Sequence, residues 1–521
     1  MLIVGIKPGH DGAVAVLDGR RLEVSLESEK DSYVRHKTVT AETILAAAEQ
    51  LGAVPDVFAV GGWRGDGSIY YRPIATGYQG IDSISSRTTR MFGKDVTLFS
   101  SSHERSHLMM ALGMAPNEDA PEEAVLIWEG VIGSLVHVDH RGGTRRVIPV
   151  VDWPGTRYAL VYAIADPRVP DDKGARADYA GKLMALAAFG DPKAADAEIV
   201  EIVDRVINDP STELSKGFFK DSVLHNSGVE SEVCKTAAAL LTQRMFNMYA
   251  EAAKRELPPG LPLRISGGCG LNCDWNAMWR DDEHFSSVFV PPCTNDSGSA
   301  IGTAIDALAH VTGDPHIDWD VYSGLGFDSD VQPDPAVWVR SPADPEGLAR
   351  TLGRGRVVAW VEGRWEIGPR ALGHRSILAE PFSSSTRDRL NTLKKREGYR
   401  PIAPVCRLED TATAFHEDFA DPYMLYFRRV RSPNLRAVTH VDGSARAQTV
   451  TASSNPALHR LLSAFAGQHG IGVLCNTSLN FHGHGFINRL SDLIRFCDDT
   501  AIDDMVVDGT WYQRRPETGA E

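Results

Sequence analysis

Two apolar segments, residues 2–7 (LIVGIK) and 13–17 (AVAVL), are separated by Pro8-Gly9-His10-Asp11-Gly12, and Asp18-Gly19 follows directly. Short apolar runs bounded by glycine, proline and aspartate read as strands, and Asp-Gly tolerates the positive φ that a tight hairpin requires. The chain therefore opens as a meander running on into residues 22–26. Helical Ala/Leu-rich stretches over 42–51 and 103–113 then alternate with apolar strands over 57–60 and 96–100. Alternation of this kind belongs to the α/β class.

The same pattern continues. Strands are predicted over 124–128, 134–138 and 147–151, a long helix over 233–256, and a strand over 263–266 that enters Gly267-Gly268-Cys269-Gly270-Leu271-Asn272. Asp296-Ser297-Gly298 leads into a helix over 300–310. At 521 residues the chain exceeds what one hydrophobic core organises. Pro315, Pro333, Pro335, Pro342 and Pro345 accumulate among Asp and Ser, which marks a linker over 311–345 and a division into residues 1–340 and 341–521. The second part begins with a helix over 346–352 and a strand over 357–361. No internal repeat is visible.

Composition excludes several classes of function. A net charge of -15 opposes sequence-independent binding to nucleic acid, which needs a basic stripe to displace counterions. No apolar run approaches the roughly 20 residues that cross a bilayer, and the chain opens on a strand in place of a signal segment, so a cytoplasmic protein without a membrane partner is expected. The 7 cysteines are odd in number and scattered, which fits a reducing compartment. Any anion handled by this acidic chain must meet a local cluster of Arg and Lys.

Three constellations carry chemistry. Pro8–Gly12 and Trp128-Glu129-Gly130-Val131-Ile132-Gly133 are both strand-turn-strand segments; each is either a plain hairpin or a turn that brings backbone N–H groups to a phosphate. His103-Glu104-Arg105-Ser106-His107 sets two imidazoles one helical turn apart, as a surface pair or as two ligands of one metal, with Asp296 and Glu129 as possible carboxylate ligands. Iron, zinc or manganese would suit such a donor set. Gly363 to Ser376 (GRWEIGPRALGHRS), followed by Lys394, Arg396 and Arg400, interleaves basic side chains with glycine and apolar residues. Arg binds phosphate through two parallel donors and Lys through a point charge, so this is a polyphosphate pocket or else a solvated basic face. Arg446-Ala447-Gln448-Thr449 and Asn476-Thr477-Ser478 add amide and hydroxyl groups.

The turns at Gly5–Gly12 and Trp128–Gly133, with Gly267-Gly268, resemble the phosphate loops of the actin and sugar-kinase superfamily. The segments GRWEIGPRALGHRSILAE, NTLKKREGYRPIAPV, DGSARAQTV and VLCNTSLN resemble the C-terminal part of the nodulation-factor and antibiotic O-carbamoyltransferases. GHDGA, HERSH, GKLMALAAFG, GGCGLN and NDSGSAIG extend the resemblance over most of the chain. Within that family the opening MLIVGIKPGHDGAV is most similar to the 3-hydroxymethylcephem branch.

The resemblance implies an α/β protein with an actin-like (sugar-kinase superfamily) N-terminal domain and a YrdC-like α/β C-terminal domain. The C-terminal domain would form carbamoyl adenylate from carbamoyl phosphate and ATP, with Mg2+ accompanying the ATP. The N-terminal domain, with Fe(II) or a similar divalent metal, would transfer the carbamoyl group to a hydroxyl of a small natural product. Carried over by motif, Arg370, Arg375, Ser376, Lys394, Arg396, Arg400, Arg446, Asn476 and Ser478 would hold ATP and carbamoyl phosphate. His103, His107, Asp296 and Glu129 would hold the metal, and His10 would act as the base. Lys182, Gly267, Gly268 and Asn272 would contact the carbamoyl adenylate in the N-terminal domain. Glu129-Gly130 stands where the family usually has Asp-Gly, and GGCGLN replaces the commoner GGVALN. A cephem, an aminoglycoside sugar or a macrolide are all open as acceptor, and a homodimer is open as assembly. The competing readings are a tRNA threonylcarbamoylation-type enzyme, which the acidic charge disfavours, and a non-catalytic actin-like nucleotide sensor, which leaves the basic constellation without a role.

Overall fold

A computed structural model of the chain describes residues 1–32, 34–63, 76–116, 120–211 and 214–516. They form two compact units. One comprises Met1–Pro8, Ala13–Leu22 and Leu51–Asp318, and the other Gly9–Gly12, Glu23–Gln50 and Trp319–Glu521. No described helix is long and apolar enough to cross a membrane.

Eleven strands build two sheets in the first part of the chain: β1 (Leu2–Lys7), β2 (Ala13–Asp18), β3 (Arg21–Glu27), β4 (Val57–Gly61), β5 (Ile84–Met91), β6 (Lys94–Ser101), β7 (Glu122–Trp128), β8 (Gly133–Asp139), β9 (Thr144–Pro149), β10 (Pro262–Ser266) and β11 (Ser287–Phe289). The first sheet runs β3-β2-β1-β4-β6-β5 and the second β11-β10-β7-β8-β9. In each, the first strand pairs antiparallel with the next, as the opening of a meander, and parallel with a later strand on its other side: β1 with β2 and β4, β7 with β8 and β10. One topology is thus used twice. No sequence repeat announces it, because a strand order is preserved by which faces are apolar and not by residue identity.

Element types follow the sequence reading closely where burial is strong. The helices predicted over 103–113, 233–256 and 300–310 are found as His103–Gly113, Glu232–Glu256 and Ser299–Thr312, within a residue or two of prediction. Two edge strands are different. β5 (ISSRTTRM) is mostly exposed and carries no apolar alternation, and the strand expected over 147–151 is found as Thr144–Pro149, whose first half is charged. An edge strand satisfies its backbone on one side and leaves its side chains in water, so the hydrophobic signal that locates a strand is missing.

The second unit holds an eight-stranded sheet in the order Trp338–Pro342, Thr510–Arg514, Asp504–Val507, Val358–Val361, Arg375–Ala379, Val473–Ser478, Ala403–Arg407, Gln448–Val450. Both faces are covered. Ala359, Val361, Ile377, Val473 and Cys475 face a core that includes Leu493 and Phe496, while Val358, Trp360, Leu378 and Leu474 face Leu348, Leu352, Leu458, Leu462 and Phe465. Alternate residues of each strand enter opposite cores, so these strands read as continuous apolar runs. Burial of each large apolar side chain contributes roughly 1.5–3 kcal/mol.

Candidate active site

In the first unit, helix His103–Gly113 begins where Ser102 Oγ accepts the Arg105 N–H at 3.0 Å. His103 and His107, one turn apart, point the same way and are both buried, with their Nε2 atoms 3.2 Å apart. Arg105 clamps Asp306 through two bonds of 2.8 and 2.9 Å, which ties this helix to Ser299–Thr312. The two helices lie so close that a Cβ on Gly302 would stand 1.9 Å from the Ser106 carbonyl oxygen. That approach requires glycine.

Asp296, in the short 3-10 turn just before Ser299–Thr312, brings Oδ2 to 3.6 Å from His103 Nε2 and Oδ1 to 3.5 Å from His107 Nε2. One ligand atom from each of the three residues lies within 4.8 Å of the others. His107 Nδ1 shares a 2.9 Å hydrogen bond with Ser266 Oγ at the end of β10, which orients the ring and turns Nε2 toward the cluster. Tyr78 stacks on His103 with ring centroids 4.4 Å apart. Burial drives the His103 imidazole down to about 4, so it is neutral at physiological pH. Burial alone would raise the Asp296 carboxyl, but His103, Lys7 and the hydrogen bonds to both imidazoles together hold it well below the usual carboxylate range. Lys7 is 1% exposed, with Nζ 3.3 Å from Asp296 Oδ2 and 3.9 Å from the Trp63 ring centroid. An anionic carboxylate beside imidazole lone pairs is a donor set that fits a divalent first-row metal.

Glu129, a possible ligand in the sequence reading, lies outside the group of three found among the described residues. Its Oε1 accepts the Ile132 N–H at 2.9 Å and both oxygens accept from the Tyr78 hydroxyl at 3.1 Å, and it does not join the group of three. Burial and the nearby Asp296 push its carboxyl up to about 6. The physical reason is its place: the turn after β7 spends the carboxylate on closing its own backbone. Gly267 packs against this turn, since a Cβ there would stand 2.4 Å from the Trp128 carbonyl oxygen and its φ of +99 suits only glycine. Gly268 faces open space, and Asn272 caps helix Cys273–Asp281 through Asp274 N and Trp275 N. Lys182, on helix Ala177–Ala187, lies 5.6 Å from the Tyr162 ring.

The second unit gathers Arg370, Lys394, Arg396, Arg400 and Arg446. Burial, then the charges of Arg400 and Arg446, disfavour the Arg396 guanidinium; burial, then Arg396, Arg35 and Arg400, hold the Lys394 ammonium far below its ordinary range. Lys394 Nζ donates to the Ser478 and Asn480 carbonyl oxygens at 2.6 and 2.9 Å. Arg446 Nε is buried with no hydrogen-bond partner among the described residues. Strands Arg375–Ala379 and Val473–Ser478 pair so that Ser376 meets Ser478 and Leu378 meets Asn476, which sets the three predicted polar residues along one strip. Asn476 Nδ2 donates to Ala371 O at 3.1 Å and Gln448 Oε1 at 3.0 Å, and Ser376 Oγ accepts the Gly373 N–H at 3.1 Å.

Arg375 is placed otherwise than a phosphate ligand would be. It is 0% exposed, and its guanidinium donates to Asn488 Oδ1 and to the carbonyl oxygens of Glu362, Gly363 and His374. In this structure it shapes the loop. Glu366, which sequence reasoning passed over, does the same from the other side: Oε1 accepts from Leu372, His374 and Arg375 backbone N–H groups. A lone acid inside a basic, glycine-rich run was the available signal. His10 is 55% exposed and shares a 2.9 Å hydrogen bond with Asp11 Oδ2, whose other oxygen meets His36 Nδ1 at 2.8 Å.

Residues 71–305 match the family model "Carbamoyltransferase N-terminus" and residues 349–514 "Carbamoyltransferase C-terminus". The chain is 61% identical to a 3'-hydroxymethylcephem-O-carbamoyltransferase of Streptomyces clavuligerus and 60% identical to that of Amycolatopsis lactamdurans, in each case over 99% of both chains. It is 34% identical to Nodulation protein U of Rhizobium tropici over 99% of this chain and 96% of the relative. Among solved structures, the activator of the 2-hydroxyisocaproyl-CoA dehydratase from Clostridium difficile is 13% identical, with a TM-score of 0.35 over 60% of this chain and 96% of that one. With both halves matched in order and whole-length relatives above half identity, the chain belongs to the carbamoyltransferase family.

Proposed function

We propose that this protein is an ATP-dependent O-carbamoyltransferase of the cytoplasm that carbamoylates the hydroxymethyl group of a 3'-hydroxymethylcephem. The whole-length identity of 61% to an enzyme bearing that name is the observation that carries the acceptor. The basic cluster of the second, YrdC-like unit supports the first half of the reaction. A carbamoyl carbon is a poor electrophile because its nitrogen donates into the carbonyl, so the leaving group must be a stabilised anion. The α-phosphorus of ATP accepts a carbamate oxygen and pyrophosphate leaves; for atoms to balance, the phosphoryl group of carbamoyl phosphate departs as inorganic phosphate with one water consumed. Arg370, Lys394, Arg396, Arg400 and Arg446 offset the negative charge of these groups, and Mg2+ accompanies ATP.

Transfer belongs to the part of the chain over residues 1–340. The substrate oxygen attacks the carbamoyl carbon of carbamoyl adenylate, the bond from that carbon to the phosphate-ester oxygen breaks, AMP leaves, and His10 takes the alcohol proton. His103, His107 and Asp296 would hold Fe(II) or a similar divalent ion, which supplies polarisation of the carbonyl or the adenylate phosphate. Ser266 keeps His107 in orientation, and Gly268 and Asn272 line the turn beside it. Incubating the protein with ATP, carbamoyl phosphate and a 3'-hydroxymethylcephem should yield a product heavier by one carbamoyl group, with AMP, phosphate and pyrophosphate in equal amounts. Carbamoylation of an aminoglycoside or a macrolide, with the cephem left unchanged, would move the acceptor elsewhere.

A further inference from the structure

Between β1 and β2 the loop Gly9–Gly12 lies against the segment that carries Ser28 and residues 36–39, and both belong to one compact unit. Gly12 N donates to the Lys37 carbonyl oxygen at 2.8 Å, Ser28 N to the Gly12 carbonyl at 2.8 Å, and Asp11 N to the His36 carbonyl at 3.4 Å. The approach is close, since a Cβ on Gly12 would stand 1.9 Å from Val39 N. Facing each other across this contact are two residues in the left-handed region, Asp11 at φ +50 and His36 at φ +55. Side chains other than glycine hold that conformation only where their surroundings fix it, and such positions gather at functional sites.

The two side chains meet as well. Asp11 Oδ2 shares a 2.9 Å hydrogen bond with His10 Nδ1, and Oδ1 shares one of 2.8 Å with His36 Nδ1, so a single carboxylate is gripped between two imidazoles. A carboxylate only accepts, which places a proton on Nδ1 of each ring and leaves the lone pair of a neutral His10 on Nε2. Asp11 is 12% exposed and His10 55%, so the acid is sheltered while the ring it holds is accessible. His36 is held in its turn, because Glu29 Oε2 accepts its backbone N–H at 2.9 Å. The bond to Asp11, opposed by burial and aided by the charges of Asp11 and Glu29, raises the His36 imidazole above its ordinary range. A charged His36 grips the carboxylate more firmly than a neutral one.

We infer that Asp11 and His36 are positioning residues for the His10 base: Asp11 fixes its tautomer and ring plane, and His36 fixes Asp11. The inference rests on the reading of His10 as the group that takes the proton of the acceptor alcohol. A ring tied at Nδ1 keeps Nε2 in one place while the proton moves from the alcohol oxygen to that nitrogen, and the carboxylate stabilises the imidazolium that forms. An exposed histidine without this hold visits several rotamers, few of which bring Nε2 to near-attack distance.

Steady-state kinetics of the full chain with ATP, carbamoyl phosphate and a 3'-hydroxymethylcephem test it on wild type, His10→Gln, Asp11→Asn, His36→Gly, His36→Asn and the double variant Asp11→Asn with His36→Gly. Pyrophosphate release in the absence of acceptor reports the other half of the reaction. Asp11→Asn should lower kcat for carbamoylation about a hundred-fold, because an amide can donate to Nδ1 and favour the wrong tautomer, with KM for the cephem and pyrophosphate release near wild type. Glycine accepts a positive φ, so His36→Gly removes the imidazole without straining the turn and should lower kcat about ten-fold. Asparagine brings an amide N–H to the place of Nδ1, and His36→Asn should recover most of that loss. In the double variant His36→Gly should add nothing to Asp11→Asn, since it acts through that carboxylate. Losses that add in the double variant, or a rise in KM and a fall in pyrophosphate release that match the fall in kcat, would mark a merely structural contact and overturn the proposal. Wild-type kcat in Asp11→Asn and His36→Gly, with His10→Gln inactive, would overturn it while leaving His10 as the base. Full carbamoylation by His10→Gln would overturn the reading of His10 itself.

Discussion

The His103, His107 and Asp296 centre and the basic cluster both bury charge, but they neutralise it in opposite ways. In the first, the carboxylate faces two imidazoles and the Lys7 ammonium, so the centre is balanced by its own neighbours and presents lone pairs. In the second, Arg370, Lys394, Arg396, Arg400 and Arg446 crowd together with Glu397 as a nearby acid. Arg446 Nε remains buried without a hydrogen bond among the described residues. A desolvated cation costs several kcal/mol unless it is paired. The comparison teaches what each region is suited to receive: a cation where lone pairs converge, and a polyanion where positive charge is left over.

The largest effect expected is the separation of the two halves of the reaction. If His103, His107 and Asp296 hold a metal as proposed, His103→Ala removes one of its three donors, and metal affinity should fall by more than about a hundred-fold, beyond what loss of an orienting neighbour costs. Carbamoyl transfer should stop while adenylate formation stays near the wild-type rate. Elemental analysis together with separate assays of the two steps checks this, and unchanged metal content would break the contrast.

A smaller effect should appear in the pH dependence of stability. The His103 imidazole ordinarily titrates at 6.5 and in the fold at about 4. The unfolded chain therefore takes up a proton first as pH falls, and the folded state loses stability from about pH 6.5 down toward 4. The depression of 2.5 units, 6.5 minus 4, corresponds to on the order of 3 kcal/mol at the lower end. Denaturant unfolding of the metal-free protein across this window should show the slope, and His103→Ala should flatten it.

The smallest effect concerns the other region. ATP at a hundred times its dissociation constant should stabilise the protein by about 2.7 kcal/mol, because binding to the folded state alone shifts the equilibrium. In Arg396→Ala, with affinity reduced roughly thirty-fold, the same ATP concentration should stabilise by only about 1 kcal/mol. Equal stabilisation of both proteins, read by chemical denaturation, would show that the cluster is not where ATP binds.

Much of this was readable from sequence, for physical reasons. The HERSH spacing places two imidazoles on one side of a helix, because residues four apart are neighbours in any α-helix, and the helix appears where expected. The glycine turns after strands and the basic run at 363–376 were equally local. That the Arg375 guanidinium is satisfied by carbonyl oxygens could not be read from that run, since the partners lie in other turns and the residue type is the same as its neighbours'. Nor could the hydrogen bonds of Glu129 to Ile132 and Tyr78 be read, because only the closed turn brings these groups together.

By itself, then, the sequence determined the types of the strongly buried elements, the helical histidine pair, the clustering of positive charge along one stretch and, through its motifs, the family. These depend on periodicity and neighbouring residues. Tertiary structure alone decided that Asp296 closes on histidines nearly two hundred residues before it and that one strand order is used for both sheets. It alone decided that residues 9–12 and 23–50 join a unit otherwise built from the far end of the chain. The reason is that partners distant along the chain are selected by packing and by the need to satisfy buried polar groups, and neither leaves a local pattern to read.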